Sequence, residues 1–135
     1  MHSNSQPEPE HDSDFSSGTW MGKFIDAASG IAAAFRSESS FYIHLPVGIV
    51  VIVAAILLRI STAETCVLFL CVAFVLTAEL FNTAIEALAK AVTDEFNSHI
   101  QRALDVSAGA VLVASFMSAV VGLAIFGRYF VDHYL

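Results

Sequence analysis

Charge is what this sequence has least of. Only 14% of its 135 residues are Asp, Glu, Lys or Arg, where a soluble domain carries about a quarter. Hydrophobic residues make up 56%, and the mean hydropathy is +0.70. That shortage excludes an ordinary soluble domain, so the chain reads as an all-α integral membrane protein. Cations are scarcer still: six Lys and Arg against thirteen Asp and Glu, a formal net charge of -7. No nucleic-acid surface is built from so few. Glu8, Glu10, Asp12 and Asp14 place four of the negative charges in the first eighteen residues. The two cysteines, Cys66 and Cys71, share one apolar segment. Five residues apart on a helix they face different ways, which excludes an intrachain disulfide and makes them small packing residues. No internal repeat, glycine-rich phosphate loop or Walker pattern is present.

Residues 1–18 lack the basic and apolar regions of a secretory signal. Their Ser, Pro, Glu and Asp content predicts a disordered acidic tail. From 19 to 37, Trp20, Met21, Phe24, Ile25, Ala28, Ile31, Ala32 and Phe35 recur at helical spacing, with Lys23, Asp26 and Ser29 on other faces. An amphipathic helix lying at the membrane surface is expected, with Trp20 suited to the interface.

Three spans are expected after it. The first covers 41–58, within twenty uncharged residues between Glu38 and Arg59. A polar turn, Arg59 to Glu64, leads to the second, 65–91. Val92 to Ser98 is a hydrophilic connection. The third covers 99–127, and its uncharged part from Val106 to Gly127 would reach about 33 Å. Tyr129, Phe130 and Tyr134 follow as interfacial anchors. Ser107, Ala108, Gly109 and Ala110 make the third span thin, so that face, and Gly122 further along, should pack against a neighbour. Together, 19–131 form one domain. Lys23, Arg36, Lys90 and Arg102 fall on one side and Arg59 and Arg128 on the other, so the N-terminus is expected in the cytoplasm and the C-terminus outside.

The second span carries what lipid does not tolerate. At about 100° per residue, Glu79, Asn82 and Glu86 lie within about 60° of one another. A charge deep in a membrane helix costs on the order of 3 kcal/mol even on lenient scales, so such residues mark function. Glu38, at the mouth of the first span, and Asp105, at the mouth of the third, are expected near the depth of Glu86. With Asn82 they form a hard oxygen cluster suited to Mg²⁺, which takes one or two carboxylates along with phosphates and water. Glu79 lies about 10 Å deeper and suits a general base acting on a hydroxyl at the membrane boundary.

The run Glu79-Leu-Phe-Asn82-Thr-Ala-Ile-Glu86, with Asp105-Val-Ser-Ala-Gly-Ala-Val-Leu and Phe35-Arg-Ser-Glu38-Ser-Ser-Phe41, resembles the small bacterial integral-membrane diacylglycerol and undecaprenol kinases. The resemblance covers about residues 20–127. It implies a homotrimer in the bacterial cytoplasmic membrane, with active sites shared between subunits. It also implies transfer of the ATP γ-phosphoryl group to a lipid alcohol, with Mg²⁺ as cofactor. By the same resemblance Glu79 is the base, Glu38 and Glu86 hold Mg²⁺ and ATP phosphates, and Asn82 and Asp105 support the site. The Asn-Thr-Ala-Ile-Glu and Ala-Gly-Ala-Val-Leu wording is closer to the undecaprenol branch.

The chain departs from the pattern of the family it resembles at Lys90, where an Asp is usual, and at Leu104, where a Lys is usual. Developing phosphoryl charge needs cations. Lys90 would supply one from the second span, with Arg102 as the other candidate. The plain alternative is that Lys90 reaches for the headgroups and pairs with Glu86. Asp94 and Glu95 read as a solvated turn. His44 reads as an interfacial histidine and His99 as a helix-start residue rather than as metal ligands. Two other functions fit parts of the pattern: a structural or regulatory membrane subunit, suggested by Lys90 and Leu104, and a proton- or ion-translocating subunit. A stripe that ends at the membrane boundary argues against the latter.

Overall fold

A computed structural model describes residues 19–37, 40–93 and 95–134. The expected acidic tail, Glu38 and Asp94 lie outside the described residues. Four helices follow in order: α1 (Trp20–Ser37), α2 (Phe41–Leu57), α3 (Thr62–Val92) and α4 (Ser98–Tyr134), and no strand occurs among the described residues. Helices α3 and α4 are clearly long and apolar enough to cross a membrane. Helix α2 is a shorter apolar helix of 17 residues, and α1 is bent by 106° relative to it.

Local chemistry places the helix ends. After α2, Arg59 adopts a left-handed backbone with φ 54°, and the Ile60 N–H donates to the Ala55 carbonyl at 3.0 Å. This turn satisfies carbonyls that the helix leaves open. Ser61 then caps α3: it accepts from the Glu64 N–H at 3.4 Å, and its hydroxyl donates to the Glu64 carboxylate. This exchange resembles a capping box and starts the helix at Thr62, within the segment read from sequence as a turn. Asn97 caps α4, accepting from the His99 and Ile100 N–H groups at 2.9 and 3.3 Å. Helix α4 continues through the expected interfacial aromatics to Tyr134.

Helices α3 and α4 form an antiparallel hairpin. Ser107 donates to Asn82 at one end, Ser118 donates to the Cys71 carbonyl at 3.3 Å in the middle, and Arg128 binds Glu64 at the other end. Helix α2 also runs antiparallel to α3. The two come close at Gly48, where an added Cβ would stand 2.7 Å from Val72 Cγ1. A glycine there lets the backbones meet. Gly109 and Gly122 have open space where a Cβ would stand, while Ser107 on the same thin run is buried against α3. Among the described residues the buried apolar side chains are few: Ala34, Phe41, Ala55, Leu68, Val75 and Ala114. The Phe35 and Phe41 rings, 4.3 Å apart, join α1 to α2. Trp20, Met21, Phe24 and Ile25 of α1 are exposed.

Candidate active site

The Glu64–Arg128 pair gives a ruler for depth. From Glu64, a hydrocarbon layer of about 30 Å spans about twenty helical residues. The far boundary then falls near Ala84. Counted this way, Glu79 falls short of that boundary, Glu86 just past it and Lys90 about 9 Å past it. Helix α3 therefore presents one buried acid and then a series of polar groups leading to water.

Glu79 is buried, with 2% of its surface exposed. Its Oε1 lies 2.8 Å from Nδ1 of His44 on α2. That is the separation of an ion pair, but the approach is off the line of N–H donation, and buried Nδ1 has no well-directed partner. On the other side of the ring, Nε2 lies 3.5 Å from the Ser115 hydroxyl on α4. His44 thus stands among three helices. It also lines an apolar cavity of about 440 Å³ between α2, α3 and α4, together with Gly48, Val75, Ser115 and Phe126.

Asn82 joins the next two levels. Its Nδ2 donates to Glu86 Oε1 at 2.7 Å, and its Oδ1 accepts from the Ser107 hydroxyl, also at 2.7 Å. This arrangement assigns the amide orientation and fixes one carboxylate oxygen of Glu86. Half-buried Glu86 turns Oε2 toward Lys90, whose Nζ is 3.9 Å away and three-quarters exposed. A pair this long and wet is worth a few tenths of a kcal/mol, so Lys90 is held loosely.

The remaining sequence candidates stand elsewhere. Asp105 is exposed and accepts from Gln101 Nε2 at 2.9 Å. It precedes Ser107 by two residues, about 200° around the helix, and so points away from Asn82. Its level on α4 is nevertheless close to that of Glu86. Arg102 is exposed and lines a second groove with Asn82, Phe81, His99 and Ser107. The stripe on α3 is therefore assembled within one chain, and Asp105 and Arg102 flank it on α4. Glu38 lies outside the described residues.

Two participants were not assigned to the site from sequence. Ser107 was read only as a small packing residue, yet it holds Asn82. His44 was read as an interfacial histidine, yet it meets Glu79. One signal pointed to it: His44 and Tyr42 are the only titratable residues between Glu38 and Arg59, and a deep carboxylate needs a polar partner.

A metal would find a limited donor set here. Among the described residues no three His, Cys, Asp or Glu side chains cluster closely enough to hold an ion by themselves. Glu86 does offer a partly exposed hard oxygen. That fits Mg²⁺, which keeps waters and substrate phosphates as most of its ligands and needs only one or two carboxylates.

Residues 26–126 match the family described as prokaryotic diacylglycerol kinase. The chain is similar to an undecaprenol kinase of Bacillus subtilis (strain 168), 34% identical over 103 residues, covering 76% of this chain and 84% of that protein. It is also similar to a diacylglycerol kinase of Synechocystis, 36% identical over 100 residues, covering 73% of this chain and 57% of that longer protein. The matched span takes in Glu79, Asn82, Glu86 and Asp105 together. This chain belongs to the prokaryotic diacylglycerol kinase family.

Proposed function

We propose that this protein is a Mg²⁺- and ATP-dependent lipid kinase that phosphorylates the hydroxyl of a membrane lipid alcohol. The acceptor would be undecaprenol or diacylglycerol, the substrates named in the two relatives. The observation that carries the reading is the graded stripe on α3: buried Glu79, then Asn82 bonded to Glu86, then Lys90 at the water. A lipid hydroxyl is held at the boundary of the bilayer, whereas ATP stays in water. A kinase joining them needs its base just inside that boundary and its phosphate-binding groups just outside.

The hydroxyl oxygen attacks the γ-phosphorus as Glu79 accepts its proton. The bond from that phosphorus to the bridging oxygen of ADP breaks, and ADP leaves with the electron pair. Asn82 fixes the Glu86 carboxylate, and Ser107 fixes Asn82. Glu86, with Glu38 by resemblance, would hold Mg²⁺, which when bound neutralises phosphate charge. Lys90 supplies a cation near the phosphates in place of the lysine that Leu104 replaces; Arg102 is the alternative. Asp105 points out of the hairpin, an orientation suited to a site shared with a neighbouring subunit of a homotrimer. The exposed apolar face of α1 lies on the membrane surface, the N-terminus is cytoplasmic and the C-terminus is outside. A catalytically weak structural or regulatory subunit is the second reading, favoured by Lys90 and Leu104.

The test is incubation of purified protein in mixed micelles with γ-labelled ATP, Mg²⁺ and either undecaprenol or diacylglycerol. Labelled lipid in either mixture supports the proposal. No label in either, where a relative is active in parallel, leaves the subunit reading.

A further inference from the structure

We infer that His44 is a positioning residue for Glu79: as the neutral Nδ1–H tautomer, it holds Oε1 and leaves Oε2 to accept the proton of the acceptor hydroxyl. The inference rests on the reading of Glu79 as the base. His44 Nδ1 is 2.8 Å from Glu79 Oε1, and Nε2 faces the Ser115 hydroxyl at 3.5 Å. A neutral imidazole has one donor and one acceptor nitrogen. A carboxylate oxygen can take only the donor, so Nδ1 carries the hydrogen and Nε2 accepts from Ser115. This assignment meets both neighbours without placing a second full charge in the apolar layer, where isolated charges are costly.

Among the described residues no other hydrogen bond or ion pair reaches the Glu79 carboxylate, so without His44 packing alone would orient its two oxygens. A base whose oxygen is a few tenths of an ångström out of place loses rate, because proton transfer needs hydrogen-bond distance. The ring also lines the cavity between α2, α3 and α4. It therefore places the carboxylate beside apolar space, which suits the approach of a lipid hydroxyl. Nδ1 is within bonding distance of Oε1 but approaches off the line of donation, so the ring must turn before the bond is made.

Two measurements test this, one independent of turnover. Protein labelled with ¹⁵N-histidine in micelles gives side-chain nitrogen spectra, and the His44 signals are those lost in His44→Asn. The expected spectrum shows protonated Nδ1 and bare Nε2, both shifting in Glu79→Gln. A Nε2–H tautomer, or signals unmoved by Glu79→Gln, overturns the contact. In the kinase assay, His44→Leu should lower kcat about tenfold or more with the ATP KM within about twofold. His44→Asn, whose amide N–H₂ occupies the place of Nδ1, should recover to within about threefold of wild type. Wild-type kcat in His44→Leu, or a His44→Asn as slow as His44→Leu, overturns the positioning role. Absence of activity in the wild-type protein overturns the kinase reading and the positioning role of His44 with it, while the spectra still decide the contact.

Discussion

Ser107 donates its hydroxyl to the side-chain oxygen of Asn82 at 2.7 Å, tying α4 to α3 at the level where the polar stripe meets the membrane boundary. Asn82 passes that constraint to Glu86 through a second bond of 2.7 Å. Residues 93–97 join the two helices beyond this level, and the Ser107–Asn82 bond fixes how the two polar faces meet there.

Ser107→Ala should therefore cost about 1 kcal/mol of stability, because it removes one net hydrogen bond and leaves a half-buried amide oxygen short of a donor. Asn82→Leu breaks both links and should lower kcat more than Ser107→Ala does. Thermal unfolding in micelles and the lipid-kinase assay measure the two effects. Equal kcat in both variants would show that the link to Glu86 is irrelevant to turnover.

Glu86→Gln keeps the shape and the bond from Asn82 but removes the charge. We expect the Mg²⁺ concentration for half-maximal activity to rise about tenfold, and chelation of Mg²⁺ to abolish activity in both proteins. A Mg²⁺ titration of the reaction rate checks this. An unchanged curve would remove Glu86 from metal binding.

Lys90 is loosely held, 3.9 Å from Glu86 and largely exposed. As the phosphate-site cation, it should lower kcat about tenfold when changed to Ala, with assembly unchanged by size-exclusion chromatography. Wild-type kcat and ATP KM in Lys90→Ala would mean that it only pairs with Glu86 and leave Arg102 as the next candidate.

At Gly48 α2 comes close to α3, and an added methyl group would fall 2.7 Å from Val72 Cγ1. Gly48→Ala should destabilise by about 1–3 kcal/mol through overpacking. Val72→Ala in the same chain removes the clashing methyl and should restore most of that loss. The comparison is made by thermal unfolding.

Much of the site was legible in the sequence because it follows one helix. Glu79, Asn82, Glu86 and Lys90 share a face by helical period alone, and the structure retains that stripe. The uncharged lengths of α3 and α4 announced membrane helices by the same simple arithmetic. Contacts between helices were less legible. His44 meets Glu79, and Ser107 meets Asn82, across intervals that no period relates. Of the thin run from Ser107 to Ala110, Ser107 is buried and meets Asn82 on α3, while Gly109 has open space where a Cβ would stand and Gly48 does not. Helix starts moved for a local reason: Ser61 and Glu64 cap α3 from within the expected turn.

The most direct measurement is phosphate transfer from γ-labelled ATP to the lipid alcohol, compared between wild type and Glu79→Gln. Gln keeps the size of the buried side chain but cannot accept the hydroxyl proton. The account predicts label in the lipid for wild type, a loss of about 10²–10⁴-fold in kcat for Glu79→Gln, and unchanged ATP binding in both. A Glu79→Gln protein that phosphorylates the lipid at the wild-type rate would contradict it.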